Sequence, residues 1–198
     1  MALLTLRLAS GRRCRVARSG LIAVALMVCA PAVFTQTPML RASAAAEQPL
    51  ENEVKAVFLY NFAKYVDWPA ATQGSSATIR LCVPANPPFL ALVREAVRDE
   101  IVNGRPLTAM GLDGLDSARE CDILFVGTAG SPDATAWINA VRGRQTLTVG
   151  EGRLVDGLVI AFVRDQDRLR FDINRAAAAK QQLSISSRLL GLARRVQP

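Results

Sequence analysis

Between residues 53 and 69 the chain reads EVKAVFLYNFAKYVDWP, and Val54, Val57, Phe58, Phe62, Tyr65 and Val66 recur there at helical spacing. The pattern predicts an amphipathic helix with Lys55, Asn61 and Lys64 off its apolar stripe, stopped where Pro69 disfavours helical geometry at Trp68. Burying side chains of this kind stabilises by roughly 1.5–3 kcal/mol each, so the helix must cover a broad apolar surface. Further along, Ala70 to Ala77 reads as a loop of small residues, and Thr78 to Val83 as a short strand closed by prolines. Phe89 to Glu100 carries Phe89, Leu92, Val93, Ala96 and Val97 at helical spacing. Asn103-Gly104 is a turn before a strand from Arg105 to Met110, and Leu112 to Glu120 is a short polar helix or loop.

The second half keeps alternating. Asp122 to Val126 is nearly all apolar, as expected of a strand buried on both faces. After it, Ser131 suits an N-cap, Pro132 the first helical position and Asp133 the first turn of a helix that carries Trp137, Ile138 and Val141. Thr146 to Val149 is a strand, with a turn at Gly150-Glu151-Gly152. Leu158 to Val163 and Arg168 to Ile173 form a hairpin, in which Arg168, Arg170 and Asp172 alternate with apolar residues and define a solvated face. Helices follow at Arg175 to Gln182 and Ser186 to Val196, the latter burying Leu189, Leu190, Leu192, Ala193 and Val196. Strands alternating with helices, then a hairpin, predict a single-domain three-layer α/β/α sandwich with a mixed, mainly parallel sheet and a C-terminal β-hairpin plus helices.

The first 46 residues stand outside this pattern. Arg7, Arg12, Arg13, Arg15 and Arg18 precede an apolar run from Leu21 to Phe34 that is short for a bilayer span. The small residues Arg41 to Ala46 follow, so residues 1–46 read as a signal peptide cleaved near Ala44 or Ala46, and residues 47–198 as the exported domain. A lipoprotein box at Cys29 and a twin-arginine signal at Arg12-Arg13 fit less well than ordinary secretion, because Val28 is bulky and Cys14-Arg15 is not apolar. Without the leader, 18 basic residues face 17 acidic ones, so the overall charge of +7 shrinks to +1. This composition gives no nucleic-acid footprint, and no later run is apolar enough to span a membrane. Cys82 and Cys121 remain as an even pair, which in an exported protein suggests a disulfide. Parallel neighbouring strands would have to be offset to bring the two together, so a reversible or reduced pair stays the alternative.

Chemistry is harder to find. The chain has no histidine, which removes Ser–His and Cys–His nucleophile pairs and imidazole metal sites. No phosphate-binding glycine motif is present, and Asp67, Asp122, Glu151, Asp156 and Asp172 are too scattered to pair as acid and base. No catalytic residue, metal site or cofactor is expected, and a carboxylate hydrolase is the least favoured reading. Fold logic leaves one ligand site, the crevice beyond the carboxyl ends of the strands, where Asn86, Gly127, Thr128, Ser131 and Glu151 would gather around an anion. For a protein partner, Arg170, Asp172 and Gln182 offer a polar rim.

Two stretches carry a resemblance. The opening VKAVFLYNFAKYVDWP (Val54 to Pro69) and the closing RFDINRAAAAKQQLSISSRLLGLARRV (Arg170 to Val196) together resemble the YfiR family of periplasmic regulators. LCV, GRPL, CDILFVG and LTVGE continue the likeness between them, at Leu81, Gly104, Cys121 and Leu147 respectively. The resemblance implies a non-enzymatic periplasmic protein that represses an inner-membrane diguanylate cyclase by docking on its periplasmic sensor region, with an outer-membrane lipoprotein relieving the repression. Cyclic di-GMP output, biofilm formation and redox response are the implied themes. Cys82 and Cys121 match one cysteine pair of the family, while a second pair found in the namesake is missing here. The alternative function is a periplasmic small-molecule-binding sensor module. Oligomeric state is not legible, and a dimer stays open.

Overall fold

A computed structural model describes the backbone of residues 39–68, 78–84 and 86–198, with side chains from residue 49 onward. The expected 70–77 loop and residues 1–38 of the expected leader lie outside the described residues. Helix α1 spans Met39–Tyr65, then β1 (Val66–Asp67), β2 (Ile79–Pro84), α2 (Pro87–Ala96), β3 (Ile101–Val102) and β4 (Arg105–Leu112) follow. A 3-10 helix at Leu115–Glu120 leads to β5 (Ile123–Thr128), α3 (Pro132–Ala140), β6 (Leu147–Glu151), β7 (Ile160–Asp165) and β8 (Arg168–Asn174). The chain closes with α4 (Arg175–Lys180), β9 (Ser184–Ile185), α5 (Ser187–Leu192) and β10 (Arg195–Gln197).

Eight strands form one sheet in the order β10-β8-β7-β6-β5-β2-β4-β3. The β2–β4, β2–β5, β5–β6, β6–β7 and β8–β10 pairs are parallel, whereas β3–β4 and the β7–β8 hairpin are antiparallel. Strand direction decides which face each connection covers. From β2 the chain crosses to β4 through α2 on one face, then returns past β2 and proceeds to β5 and β6 through the 3-10 helix and α3 on the other. Right-handed crossovers require that exchange of faces when the direction of travel reverses. The layered, mainly parallel sandwich expected from the pattern is therefore present.

Alternation along the strands splits the core in two. Ile79, Leu81 and Val83 of β2, Ile123 and Phe125 of β5, and Ile160 and Phe162 of β7 join α1, α2, α4 and α5 in the larger cluster. Cys82, Leu124, Val126 and Ala161 point the opposite way, against the 3-10 helix and α3. Phe62 of α1 stacks on Phe162 with ring centres 5.6 Å apart and meets Phe171 edge-on at 5.2 Å, so α1 is seated on the β7–β8 hairpin.

Several elements depart from the sequence reading. On α1 the buried face carries Lys55, Ala56, Leu59, Phe62 and Ala63, while Val54 and Val57 are exposed. The small side chains of Ala56 and Ala63 let the helix approach the sheet, which rotates the expected stripe toward them. The helix ends at Tyr65, because Val66 and Asp67 pair with Ile185 and Ser184 instead of continuing it. Leu192 and Val196 are exposed rather than buried, since α5 stops at Leu192 and the chain turns into β10 beside β8.

Candidate functional site

Asn86 and Ser131, two of the five residues expected to meet at the sheet's carboxyl edge, place their side-chain oxygens on helix caps. The Phe89 amide donates to Asn86 Oδ1 at 3.3 Å, and the Ala134 amide donates to Ser131 Oγ at 3.1 Å. Gly127 turns β5 outward with φ of +70°, and Thr128 stands exposed opposite Glu151 in the β5–β6 register. Glu151, at the end of β6, reaches toward α1 and lines a cleft of about 610 Å³. Of the five, only Glu151 lines this cleft; Asn86, Gly127, Thr128 and Ser131 do not.

Four segments build that cleft. Glu51 and Lys55 come from α1, and Glu151 to Leu154 from the end of β6 and the loop after it. Phe162, Val163, Arg164, Leu169 and Asp172 come from the hairpin, and Arg194, Arg195 and Gln197 from the closing segment. Lys55 is 1% exposed, and its ammonium lies 2.8 Å from Glu51 and 2.9 Å from Glu151. Arg164 also donates to Glu51. Burial alone would raise the Glu51 carboxyl, but the hydrogen bonds and charges of Lys55 and Arg164 outweigh it and hold the group below its ordinary range.

Asp172 is the second anchor. It was expected on a solvated strand face and is instead only 4% exposed, because Arg194 folds over it. Arg194 Nε and Nη2 donate to its two oxygens at 2.9 and 2.6 Å, a bidentate fork that lifts the guanidinium above its ordinary basicity. Arg194 is fixed by the backbone as well, its amide donating to the Phe171 carbonyl at 2.8 Å. Of the other rim residues, Arg170 is exposed on β8, and Gln182, at φ of +57°, accepts a bond from Gln145 at 2.8 Å.

Cys82 and Cys121 form a disulfide with their Cα atoms 5.9 Å apart. The offset that parallel strands would require is met because Cys121 lies before β5, at the C-cap of the 3-10 helix. The bond is buried between the sheet and the helices of its second face. Among the described residues there is no group of three or more His, Cys, Asp or Glu side chains that could hold a metal, and no helix long and apolar enough to cross a membrane.

Sequence reasoning passed over Lys55, Arg153, Arg194 and Arg195. A signal for Lys55 was available: it shares helical register with the buried Leu59, Phe62 and Val66, and Glu51 lies one turn before it. A charge in that position needs partners, and the sequence alone did not reveal that Glu151 is one of them.

No curated protein sequence matches the chain. A crystal structure of a conserved domain protein from Vibrio cholerae O1 biovar El Tor strain N16961 is similar at 12% identity and a TM-score of 0.43, covering 65% of this chain and 58% of that one. The chain therefore spans somewhat over half the length of that protein. The sequence profile of YfiR/HmsC-like proteins matches residues 52–194, which takes in every element from the buried half of α1 to α5. The chain belongs to the YfiR/HmsC-like family.

Proposed function

We propose that the protein is a non-enzymatic periplasmic regulator that binds and represses a membrane-bound signalling protein, a diguanylate cyclase. The observation that carries this reading is the family match across residues 52–194. Residues 1–46 act as the export leader in this reading, and an outer-membrane lipoprotein is a second partner. The arrangement of charged groups supports work done by a surface: Lys55, Glu51, Glu151, Asp172 and Arg194 are engaged with one another. Exposed Leu50, Val54 and Val57 leave apolar area on α1, as protein-binding surfaces commonly do. Arg170 is the rim residue free to meet a partner directly, Gln182 contributes from the opposite end of the strands, and Asp172 acts through Arg194. The buried Cys82–Cys121 bond gives the regulator a group that responds to redox state.

Deletion of the protein is expected to raise cyclic di-GMP and biofilm formation. The exported domain is expected to co-purify with the periplasmic region of a diguanylate cyclase from the same cell, beginning with any encoded beside it. An unchanged nucleotide level together with no cyclase partner would overturn the reading.

A further inference from the structure

We propose that the cleft between α1, the end of β6 and the closing strand binds a small organic anion, a carboxylate or phosphate monoester, through Arg153 and Arg195. The argument is one of charge left over. Lys55, Arg153, Arg164, Arg194 and Arg195 line the cleft against only three carboxylates, an excess of two positive charges. Lys55 and Arg164 balance Glu51 and Glu151, while Arg194 balances Asp172. That leaves Arg153 and Arg195, neither of whose side chains has an ion-pair or hydrogen-bond partner among the described residues.

The two arginines belong to different walls of the cleft. Arg153 follows Gly152, whose φ of +100° turns the chain out of β6. Arg195 stands in β10, in register with Asp172 of β8. The Lys55 and Asp172 ion pairs fix the walls that carry the two cations, while the exposed arginine side chains themselves would be ordered by the ligand. A guanidinium fork suits carboxylate and phosphate oxygens. Leu154, Val163 and Leu169 add apolar lining, and a volume of about 610 Å³ lies within the range that takes small organic ligands. This site goes beyond the regulatory reading, since it adds a small-molecule input that partner docking does not require.

The test titrates the exported protein with inorganic phosphate, phenyl phosphate, succinate and, at matched ionic strength, sodium chloride, followed by amide NMR shifts. Saturable shifts centred on Arg153 and Arg195 are expected from at least one phosphate or carboxylate probe and not from chloride. Arg153→Gln with Arg195→Gln should weaken binding at least tenfold, while Arg168→Gln, on the hairpin outside this cleft, should leave it unchanged. If the double variant fails to fold by circular dichroism, Arg195→Gln alone and the wild-type shift map decide. Shifts matched by chloride, shifts centred elsewhere, no saturation by any probe, or undiminished binding in a folded variant would each overturn the site. Cyclase capture measured alongside keeps the two readings separable, because lost ligand binding with intact capture bears on this site alone.

Discussion

Lys55 donates to Glu151 across 2.9 Å, although 96 residues of chain separate them. The contact ties the middle of α1 to the end of a central strand, and the lysine stem is buried on the way. Removing one partner of a buried pair leaves charge without compensation, at a cost of about 3–5 kcal/mol. Glu151 keeps some access to water and Glu51 keeps Arg164, so Lys55→Ala is expected at or below the lower end, about 2–3 kcal/mol. Lys55→Met retains the packed stem and should lose less. Urea denaturation of the three proteins checks this; an alanine variant as stable as wild type would show that the network contributes nothing net.

Glu51 gives the same network a pH dependence. Its carboxyl is held below the ordinary value of 4.5, since the hydrogen bonds and charges of Lys55 and Arg164 exceed the opposing effect of burial. A depressed carboxyl stabilises the fold fully above its unfolded value, and that stabilisation is lost as pH falls through the folded value. Stability should therefore begin to fall near pH 4.5 and continue to fall below it. Glu51→Gln should be less stable at neutral pH and show a flatter acid limb. Acid titrations followed by circular dichroism compare the two, and parallel acid limbs would contradict the assignment.

Asp172 and Arg194 are predicted to be coupled. Arg194→Ala removes both hydrogen bonds to the Asp172 carboxylate and opens it to the cleft, which is expected to lower stability, whereas Asp172→Asn in the same chain should recover part of that loss. A double-mutant cycle is expected to show that the two effects are not additive. Additive effects in thermal melts would mean that the two groups act separately.

These networks also mark where the sequence could be read and where it could not. Strands such as Ile79–Pro84 and Ile123–Thr128 were legible, the first as a short β-rich run closed by prolines and the second as a nearly continuous apolar run before glycine. The Ser131 cap was legible because its chemistry is local. The face of α1 was misread because small residues, Ala56 and Ala63, define it, and periodicity weighted by size favours Val54 and Val57 instead. β1, β9 and β10 went unforeseen since two or three residues carry no period, and their pairing depends on partners distant in sequence. Arg194 shows the same limit: nothing near it in sequence indicates that it covers Asp172.

The Cys82–Cys121 bond closes a loop of 39 residues. Chain-entropy reasoning assigns such a cross-link about 4 kcal/mol, through fewer conformations of the unfolded chain. Replacing both cysteines with alanine should lower stability by about that amount. In the wild-type protein reductant should act slowly, because both residues are buried. Guanidinium unfolding with and without reductant measures the first effect and thiol labelling over time the second; immediate labelling of the folded protein would contradict the burial.

Gly157 separates strain from crowding. It has φ of +79°, and a Cβ placed there would lie 2.6 Å from Ile138 Cγ2, in the buried face of α3. Its carbonyl is also fixed, accepting from Thr148 Oγ1 at 2.7 Å and Gln181 Nε2 at 3.0 Å, so the loop cannot shift without breaking buried bonds. Gly152 shares the left-handed conformation at φ of +100°, but a Cβ there would meet open space. Gly152→Ala should therefore cost only the backbone strain, about 1–2 kcal/mol. Gly157→Ala adds overpacking worth about 1–3 kcal/mol more. Melting temperatures of the two variants test the difference: equal losses would show that Ile138 yields freely, and that α3 is packed less firmly on the β6–β7 connection than its buried contacts imply.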